Sequence, residues 1–452
     1  MTDAEQVDAP SLLDRLIDAL EEGALDEART IIAALHPAEI ADLLESLPVA
    51  DRDTVWELID PDLYSEVLAE VEDSVRTPRM LRMAPATLAA IASTVDDDDA
   101  ADLLQDLPED VIDEVLRAMD AQERVRIESI LAYDEDTAGG LMNVDVVTIR
   151  KDVTIEVVQR YLRRRGEIPE KTNRLYVVDR ENRFEGEMRL ADVITADPET
   201  EVNELLRTET PAIPADLEAN EVARLFEQRN LISAPVVDEA GRLIGRITID
   251  DVVDVIRGEA EHSIMSMAGL DEEDDMFAPV LVTSRRRTVW LGVNLATALL
   301  ASWVIGLFEA TIEKVVALAV LMPVVASMGG IAGSQTLTVF IRAMALGQIG
   351  SGNVGPLLNK EVLVGLLNSA IWAVVVGLVA HWWFGDPVIG VVVAIALVVN
   401  LVVAAFSGAL LPIAMRRFGV DPALAGGVVL TTVTDVVGFT TFLGLGTLLL
   451  LS

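Results

Sequence analysis

Cysteine is absent from this 452-residue chain, histidine occurs three times, and aromatic residues make up only 4%. Without cysteine there can be no disulfide, Fe–S cluster or thiolate metal site. His36, His262 and His381 are too scattered for a His-rich zinc centre. Positive charge is scarce as well: the formal net charge is −40, with only 34 basic residues against 74 acidic ones. No basic face exists to neutralise phosphates, so nucleic acid is not an expected partner. No nucleophile–base pair, phosphate loop or P-type phosphorylation motif is found, so an enzyme is not expected. Residues 1–30 are acidic and carry no apolar core segment, so no signal peptide is expected there.

What is present divides at residue 285. Residues 1–284 hold 68 acidic and 26 basic side chains, a net of −42. Residues 285–452 hold 6 and 8, a net of +2. An acidic water-soluble part therefore precedes a membrane part. Uncharged stretches run over 289–308, 315–341, 362–385 and 387–415, and a fifth over 422–452 is broken only by Asp435. Each exceeds or matches the ~20 residues that cross ~30 Å of hydrocarbon. Arg285, Arg286, Arg287, Arg342, Lys360, Arg416 and Arg417 cluster at one set of span ends, against Lys314 at the other. By the positive-inside rule the acidic part is expected on the cytoplasmic side and the C terminus outside.

The spans carry chemistry. The second holds Pro323 and the small, polar stretch Ser327-Met-Gly-Gly-Ile-Ala-Gly-Ser-Gln335. Gly329 and Gly333, four apart, allow close helix approach. The fourth holds Asn400 and Pro412, and the fifth Thr431-Thr432-Val-Thr434-Asp435. A carboxylate near mid-bilayer costs a few kcal/mol and must face protein, water or an ion. The basic candidates for a pair, Arg342 and Lys360, sit at span ends. With the hydroxyls of Thr431, Thr432 and Thr434 on nearby turns, Asp435 reads as lining a cation path.

The acidic part contains two internal repeats. Ala41-Asp-Leu-Leu-Glu-Ser-Leu-Pro48 recurs as Ala101-Asp-Leu-Leu-Gln-Asp-Leu-Pro108, a period of 60 residues amid apolar residues at helical spacing. This predicts an α-helical, solenoid-like domain over about 8–133. The acidic run Asp96–Asp99, followed by Asp102, reads first as a solvated helix start favoured by the helix dipole. Tyr176-Val-Val-Asp179 recurs as Pro235-Val-Val-Asp238, and Gly186-Glu-Met-Arg-Leu-Ala-Asp192 as Gly245-Arg-Ile-Thr-Ile-Asp-Asp251, both 59 residues on. Each copy reads helix, strand, turn, strand, helix. From 250 to 276 one amphipathic acidic helix is expected, with Val252, Val253, Val255, Ile256, Ile264 and Met267 on its apolar side.

The second repeat resembles a tandem pair of CBS domains. There the resemblance makes Thr248 and Asp251 a candidate nucleotide site and ATP a candidate ligand; Arg189 replaces the Thr in the first copy, leaving at most one such site. The chain as a whole resembles the MgtE family of magnesium transporters. The resemblance is carried by Thr137-Ala-Gly-Gly-Leu-Met142, Thr248-Ile-Asp-Asp-Val-Val-Asp254, Gly329-Gly-Ile-Ala-Gly-Ser-Gln335, Val420-Asp-Pro-Ala-Leu424 and Thr434-Asp-Val-Val-Gly438.

It implies a multidomain membrane protein: an α-helical N domain (1–141), α/β CBS domains (142–204 and 205–262), a connecting plug helix and linker (250–284) and a five-helix transmembrane domain (285–452). It implies a homodimer in the plasma membrane whose central pore passes Mg2+ at Asp435, with Asn400 and the three threonines nearby. Mg2+ is also implied as the gating ligand, held among Asp98, Asp102, Gly139, Gly140, Asp251 and Asp254, with Glu259 meeting Asp421 near the pore mouth. Three segments depart from the family: both asparagines of its Gly-Asn-x-Gly-Asn-Gln stretch are lost, His262 and Ser263 replace plug acids, and Asn230 replaces an acid of the second CBS domain. Two other readings compete: a broader divalent-cation channel for Co2+, Mn2+ or Zn2+ that uses the same Asp435, and a CBS-regulated membrane sensor that transports nothing, which would need strong nucleotide binding and no pore. The acidity has a second source to weigh. Four lysines against thirty arginines is also the bias of a protein working in high salt.

Overall fold

Apolar side chains at three- and four-residue spacing in the first 130 residues form a run of short helices, α1 (Leu12–Glu21) to α10 (Ala121–Ile130). The computed structural model describes residues 12–270, 275–350 and 352–451. The 60-residue repeat is structural. Its first copy is α3 (Pro37–Glu45) leading through Pro48 into α4 (Val49–Trp56), and its second is α8 (Asp97–Gln105) leading through Pro108 into α9 (Glu109–Ala118). Leu43, Leu44 and Leu47 are buried, as are their equivalents Leu103, Leu104 and Leu107. Each such leucine contributes about 1.5–3 kcal/mol when fully buried.

The second repeat is equally regular. Strand β1 (Thr148–Ile149) pairs parallel with β2 (Arg174–Val178), which pairs antiparallel with β3 (Phe184–Arg189). In the second copy β4 (Ile213–Pro214), β5 (Ser233–Val237) and β6 (Leu243–Thr248) repeat this order, and both bulges fall at equivalent places, Val177/Val178 and Val236/Val237. The short strands β1 and β4 are additions to the element order read from the sequence. Both hairpins turn on the same device: Asp179 Oδ1 accepts from the amides of Glu181 and Arg183, and Asp238 Oδ1 from those of Ala240 and Arg242. The helical N-terminal part and the second copy share one apolar core, from Leu16 to Phe226 and Val252, whereas the first copy has its own around Leu175 and Met188. Asn230, at the C-cap of α14 (Ala219–Arg229), adopts the left-handed conformation with φ 51°, a position that favours asparagine or glycine.

The chain divides into two compact units, Met1–Glu261 with Glu273–Ala278, and His262–Glu272 with Pro279–Ser452. The helix after β6, α15, spans Ile249–Met267 rather than reaching 276. Gly269 follows at φ +70°, a conformation that ends a helix and suits only glycine well. The acidic run 271–274 of that expectation lies outside the described residues, as does 1–11. Of the expected apolar face, Val252 is buried, while Val253, Ile256, Ile264 and Met267 are exposed.

Among the described residues, the second unit contains five helices long and apolar enough to cross a membrane: α16 (Val280–Gly306), α18 (Val316–Ala345), α19 (Val354–Phe384), α20 (Pro387–Arg417) and α21 (Pro422–Leu450). A short helix, α17 (Glu309–Lys314), joins the first two. Arg285, Arg286 and Arg287 fall inside α16 rather than before it, because that helix begins right after Pro279, outside the apolar stretch. Helix α20 is the most buried of the five and packs on α18, α19 and α21. Small residues permit this: a Cβ on Gly408 would lie 2.6 Å from the Gly333 carbonyl, and one on Gly390 2.5 Å from that of Gly377.

Candidate functional site

Among the described residues, two groups of side chains are candidates for function, one in each unit. In the membrane unit an open groove of about 880 Å³ is lined by Ser327, Gly330, Ser334, Gln335 and Thr338 of α18 and by Thr431 and Asp435 of α21. The α18 residues recur every three or four positions and so form one stripe along the helix. Thr431 and Asp435, at i and i+4, share a face of α21 in the same way. Ser334, Gln335, Thr338 and Thr431 are exposed, and Asp435 is partly so. The Thr431 hydroxyl donates to the Gly427 and Val428 carbonyls at 3.0 Å each, which leaves its lone pairs toward the groove.

The other expected pore residues lie elsewhere. Thr434 is fully buried and donates to the Thr431 carbonyl, and Thr432 donates to the Val428 carbonyl. Neither lines the groove with Asp435. Asn400 is also fully buried, wedged where α18, α20 and α21 meet. Thr338 escaped the sequence reading, although its spacing from Ser334 and Ser327 signals the stripe. So did Glu361 of α19, a carboxylate only 8% exposed with the Lys360 ammonium 3.6 Å away.

In the soluble unit, the expected acids gather at the start of two helices. Asp97, Asp98 and Asp99 occupy the first turn of α8, where the helix dipole favours them. The run is not a solvated loop, however: Asp98 is 7% exposed and accepts from Asn143 Nδ2 at 3.2 Å. Asp251 lies in the first turn of α15 and accepts from the Thr248 amide (2.9 Å) and hydroxyl (3.1 Å) through one oxygen. Burial first, then the neighbouring Asp251 charge, pushes the Asp98 carboxyl well above the ordinary range. Asp251 is raised by burial and then by Asp250, and Asp99 is pushed up to about 6 by burial and then by Asp96. Asp102 is raised by the protein packed around it despite an opposing Arg76, although solvent still reaches it. Asp254 is exposed at the rim. Lys171, paired with Asp250, keeps that one carboxyl below its ordinary value against the cost of burial.

This junction therefore holds more negative charge than its own basic residues offset. Among the described residues, no three acid or histidine side chains already form a metal cage. The donor set nevertheless suits a hard cation, since it consists of carboxylates with too little counter-charge, with no sulfur or imidazole.

Gly139 and Gly140 form a tight backbone turn. A Cβ on Gly139 would lie 2.3 Å from the Tyr133 ring, and one on Gly140 2.5 Å from the Asp134 carbonyl. The Gly139 amide donates to the Ala215 carbonyl (2.8 Å), stitching the turn after α10 to the second CBS-like copy. Gly140→Ala is expected to destabilise the soluble unit by about 1–3 kcal/mol. Limited proteolysis of the full-length protein should show cleavage near 134–142 at lower protease concentration; wild-type resistance would remove this account of the glycine.

Glu259 accepts from Asn220 Nδ2 at 2.8 Å. Asp421 caps α21, accepting from the amides of Ala423 (2.9 Å) and Leu424 (3.1 Å), and His262 Nε2 lies 3.4 Å from its carboxylate. The Thr248 hydroxyl and amide are engaged by Asp250 and Asp251, the geometry of a helix start, so a nucleotide ribose at Asp251 would compete with that bond.

Comparison with known proteins covers nearly the whole chain. Residues 35–136 match the family described as "MgtE intracellular N domain", 138–199 and 202–258 match "CBS domain", and 322–445 match "Divalent cation transporter". The chain is 34% identical to the magnesium transporter MgtE of Thermus thermophilus over 442 residues, 96% of this chain and 98% of that one. It is 29% identical to the Bacillus subtilis protein of the same name over 436 residues, 96% and 97% of the two chains. Among solved structures, a crystal structure of the cytosolic domain of the Mg2+ channel MgtE in complex with ATP is 34% identical, with a TM-score of 0.48, and covers 53% of this chain and 98% of its own.

Proposed function

The chain belongs to the MgtE family of magnesium transporters, and on that premise we propose that it works as a homodimer in which two Asp435-bearing grooves face each other and form the Mg2+ path. Its activity is transport through a membrane domain attached to a CBS regulatory pair, and not an enzymatic reaction. The observation that carries the pore reading is the groove itself: hydroxyls, an amide and a carboxylate are exposed on the side of a spanning bundle. Such groups cannot face lipid tails without a large penalty. A second copy offers the same polar surface in a self-complementary way, which is what a two-fold interface requires. The exposed Val253, Ile256, Ile264 and Met267 on α15 support the same assembly.

Mg2+ takes octahedral oxygen ligands and gives up water reluctantly. One carboxylate per subunit with flanking hydroxyls suits a largely hydrated ion, Asp435 and Thr431 being the side chains of α21 that do this. The acidic unit lies on the cytoplasmic side in this reading, following the arginines at the span ends. Cytoplasmic Mg2+ binds among Asp98, Asp102 and Asp251, with Asp254 at the rim, and offsets their repulsion. It thereby favours the closed arrangement of α15, a population shift driven by tighter binding to one state. Glu259 and Asp421 belong to the same regulatory reading, and the Gly139-Gly140 turn holds its position. ATP at Thr248 and Asp251 is a further ligand of this reading; because Asp251 also serves the cation junction, the two ligands are expected to influence each other.

The test is Mg2+ flux in proteoliposomes with the acidic unit facing a bath of zero or millimolar Mg2+. Shut-off at millimolar Mg2+ is expected. Flux indifferent to that bath would remove the gating part, and an active monomer by light scattering in detergent would remove the paired grooves. Competition by Co2+, Mn2+ or Zn2+ in the same assay separates a magnesium-selective path from a broader divalent channel.

A further inference from the structure

Asn400 sits in the most buried span, is itself fully buried, and does not touch the groove where Asp435 lies. Its Nδ2 donates to the Val325 carbonyl of α18 at 2.9 Å, while Oδ1 has no hydrogen-bond partner among the described residues. Two glycines on two other helices make room for it. A Cβ on Gly329 of α18 would stand 2.3 Å from Nδ2, and one on Gly438 of α21 would stand 2.8 Å from the same atom. An amide from a third helix, bonded to α18 and packed against α21, bears on how closely those two helices approach.

Those two helices are the ones whose outer faces make the groove. Gly330, next to Gly329, lines it, and Asp435 lies three residues before Gly438, less than one turn away. A polar side chain with an unpaired buried oxygen is a costly way to fill space in an apolar bundle. Leucine, of nearly the same shape, would fill it without that cost. The hydrogen bond to Val325, and not the volume, is the feature that leucine cannot supply.

We propose that Asn400 is a positioning residue for ion selection: its buried amide, hydrogen-bonded to Val325 of α18 and packed against Gly438 of α21, sets where Asp435 stands against the Ser334 and Thr338 hydroxyls. This rests on the reading of Asp435 as the selecting carboxylate. Asp435 and Gly438 are three residues apart on one helix, so a shift of α21 at Asn400 carries Asp435 with it. Side-chain hydrogen bonds between spanning helices are individually modest. The effect therefore falls on geometry more than on folding.

Two variants test this in proteoliposomes, with flux of Mg2+ and of Mn2+ measured side by side. Asn400→Leu keeps the volume and loses the bond; the Mg2+/Mn2+ flux ratio is expected to change by about three- to tenfold, the span of a lost interhelical hydrogen bond. A protein with reduced flux but an unchanged ratio would mean packing only and would overturn the proposal. Gly438→Ala pushes a methyl against the Asn400 amide and should reduce flux; adding Asn400→Ser, which shortens the side chain, should recover it. Failure of that rescue would also overturn the proposal, and it applies even where Asn400→Leu does not fold. Asp435→Asn is run in parallel: if that change leaves flux intact, the Asp435 reading fails, whatever Asn400 does.

Discussion

Asp435→Asn is expected to abolish Mg2+ flux, with a fall on the order of a hundredfold or more, which corresponds to about 2.7 kcal/mol or above at the barrier. The substitution preserves size and one acceptor oxygen while removing the charge and turning the other oxygen into an NH2 donor. A divalent ion crossing a bilayer loses most of the screening that water provides. At an effective dielectric of ~20, one carboxylate about 5 Å from a double charge is worth several kcal/mol. Nothing else on the groove replaces it, since the remaining lining is hydroxyl, amide, glycine and alkyl. Thr431→Val, by contrast, should reduce flux modestly, because that hydroxyl is one acceptor among several. Flux assays on purified protein in liposomes, with folding checked by monodispersity in detergent, decide between them. Near-wild-type flux in Asp435→Asn would place the selecting charge elsewhere, and Glu361, the other buried carboxylate in a span, would be examined next.

Asp435 was legible in the sequence because a lone carboxylate in an apolar run is costly wherever it ends up. Its neighbours were less so. Residues 431 and 435 share a helix face by period alone, whereas 432 and 434 point about 100° to either side of that stripe. Counting hydroxyls by nearness in sequence grouped all three threonines, while counting by helical phase separates Thr431 from Thr432 and Thr434 and finds the α18 stripe through Thr338. Asn400 could not be placed by phase at all. Its role depends on which three helices meet at Gly329 and Gly438, and that is a tertiary fact. In the soluble unit the two repeats gave the architecture away, down to matching Asp179 and Asp238 turns. The acidic run at 96–99 did not reveal which acid is buried, since helix phase singles out Asp98 only once the neighbour carrying Asn143 is known. The helix expected to reach 276 stops at Met267 because Gly269 follows in the left-handed conformation, a stop that an amphipathic count does not weigh.

Replacing Asp98, Asp102 and Asp251 together by Asn is expected to leave flux fully active at millimolar cytoplasmic Mg2+, where the wild-type protein shuts. The ion gains its hold from carboxylates that otherwise repel one another. Without their charge it has no differential affinity for the packed state and cannot shift the population. Protons offer an independent handle with a definite sign. Asp98, Asp99 and Asp251 are all raised above the ordinary carboxylate value of about 4, chiefly by burial. Groups raised in the packed state bind protons more tightly there than when separated. Their packing is thus most stable below pH ~4 and loses stability as pH rises through about 6, the value for Asp99. Mg2+ and protons then stabilise the same arrangement and compete for the same oxygens. In the absence of Mg2+, wild-type flux should be lower at pH 6 than at pH 8, and the Mg2+ concentration for half shut-off should be well defined only at the higher pH. In the triple Asn variant the part of this pH difference owed to Asp98, Asp102 and Asp251 should vanish, leaving only the share of Asp99, which separates the junction from any titration in the pore. A triple variant that still closes at millimolar Mg2+, or that keeps the wild-type pH difference, would show that the excess acid of this chain serves solubility and that its gate is read elsewhere.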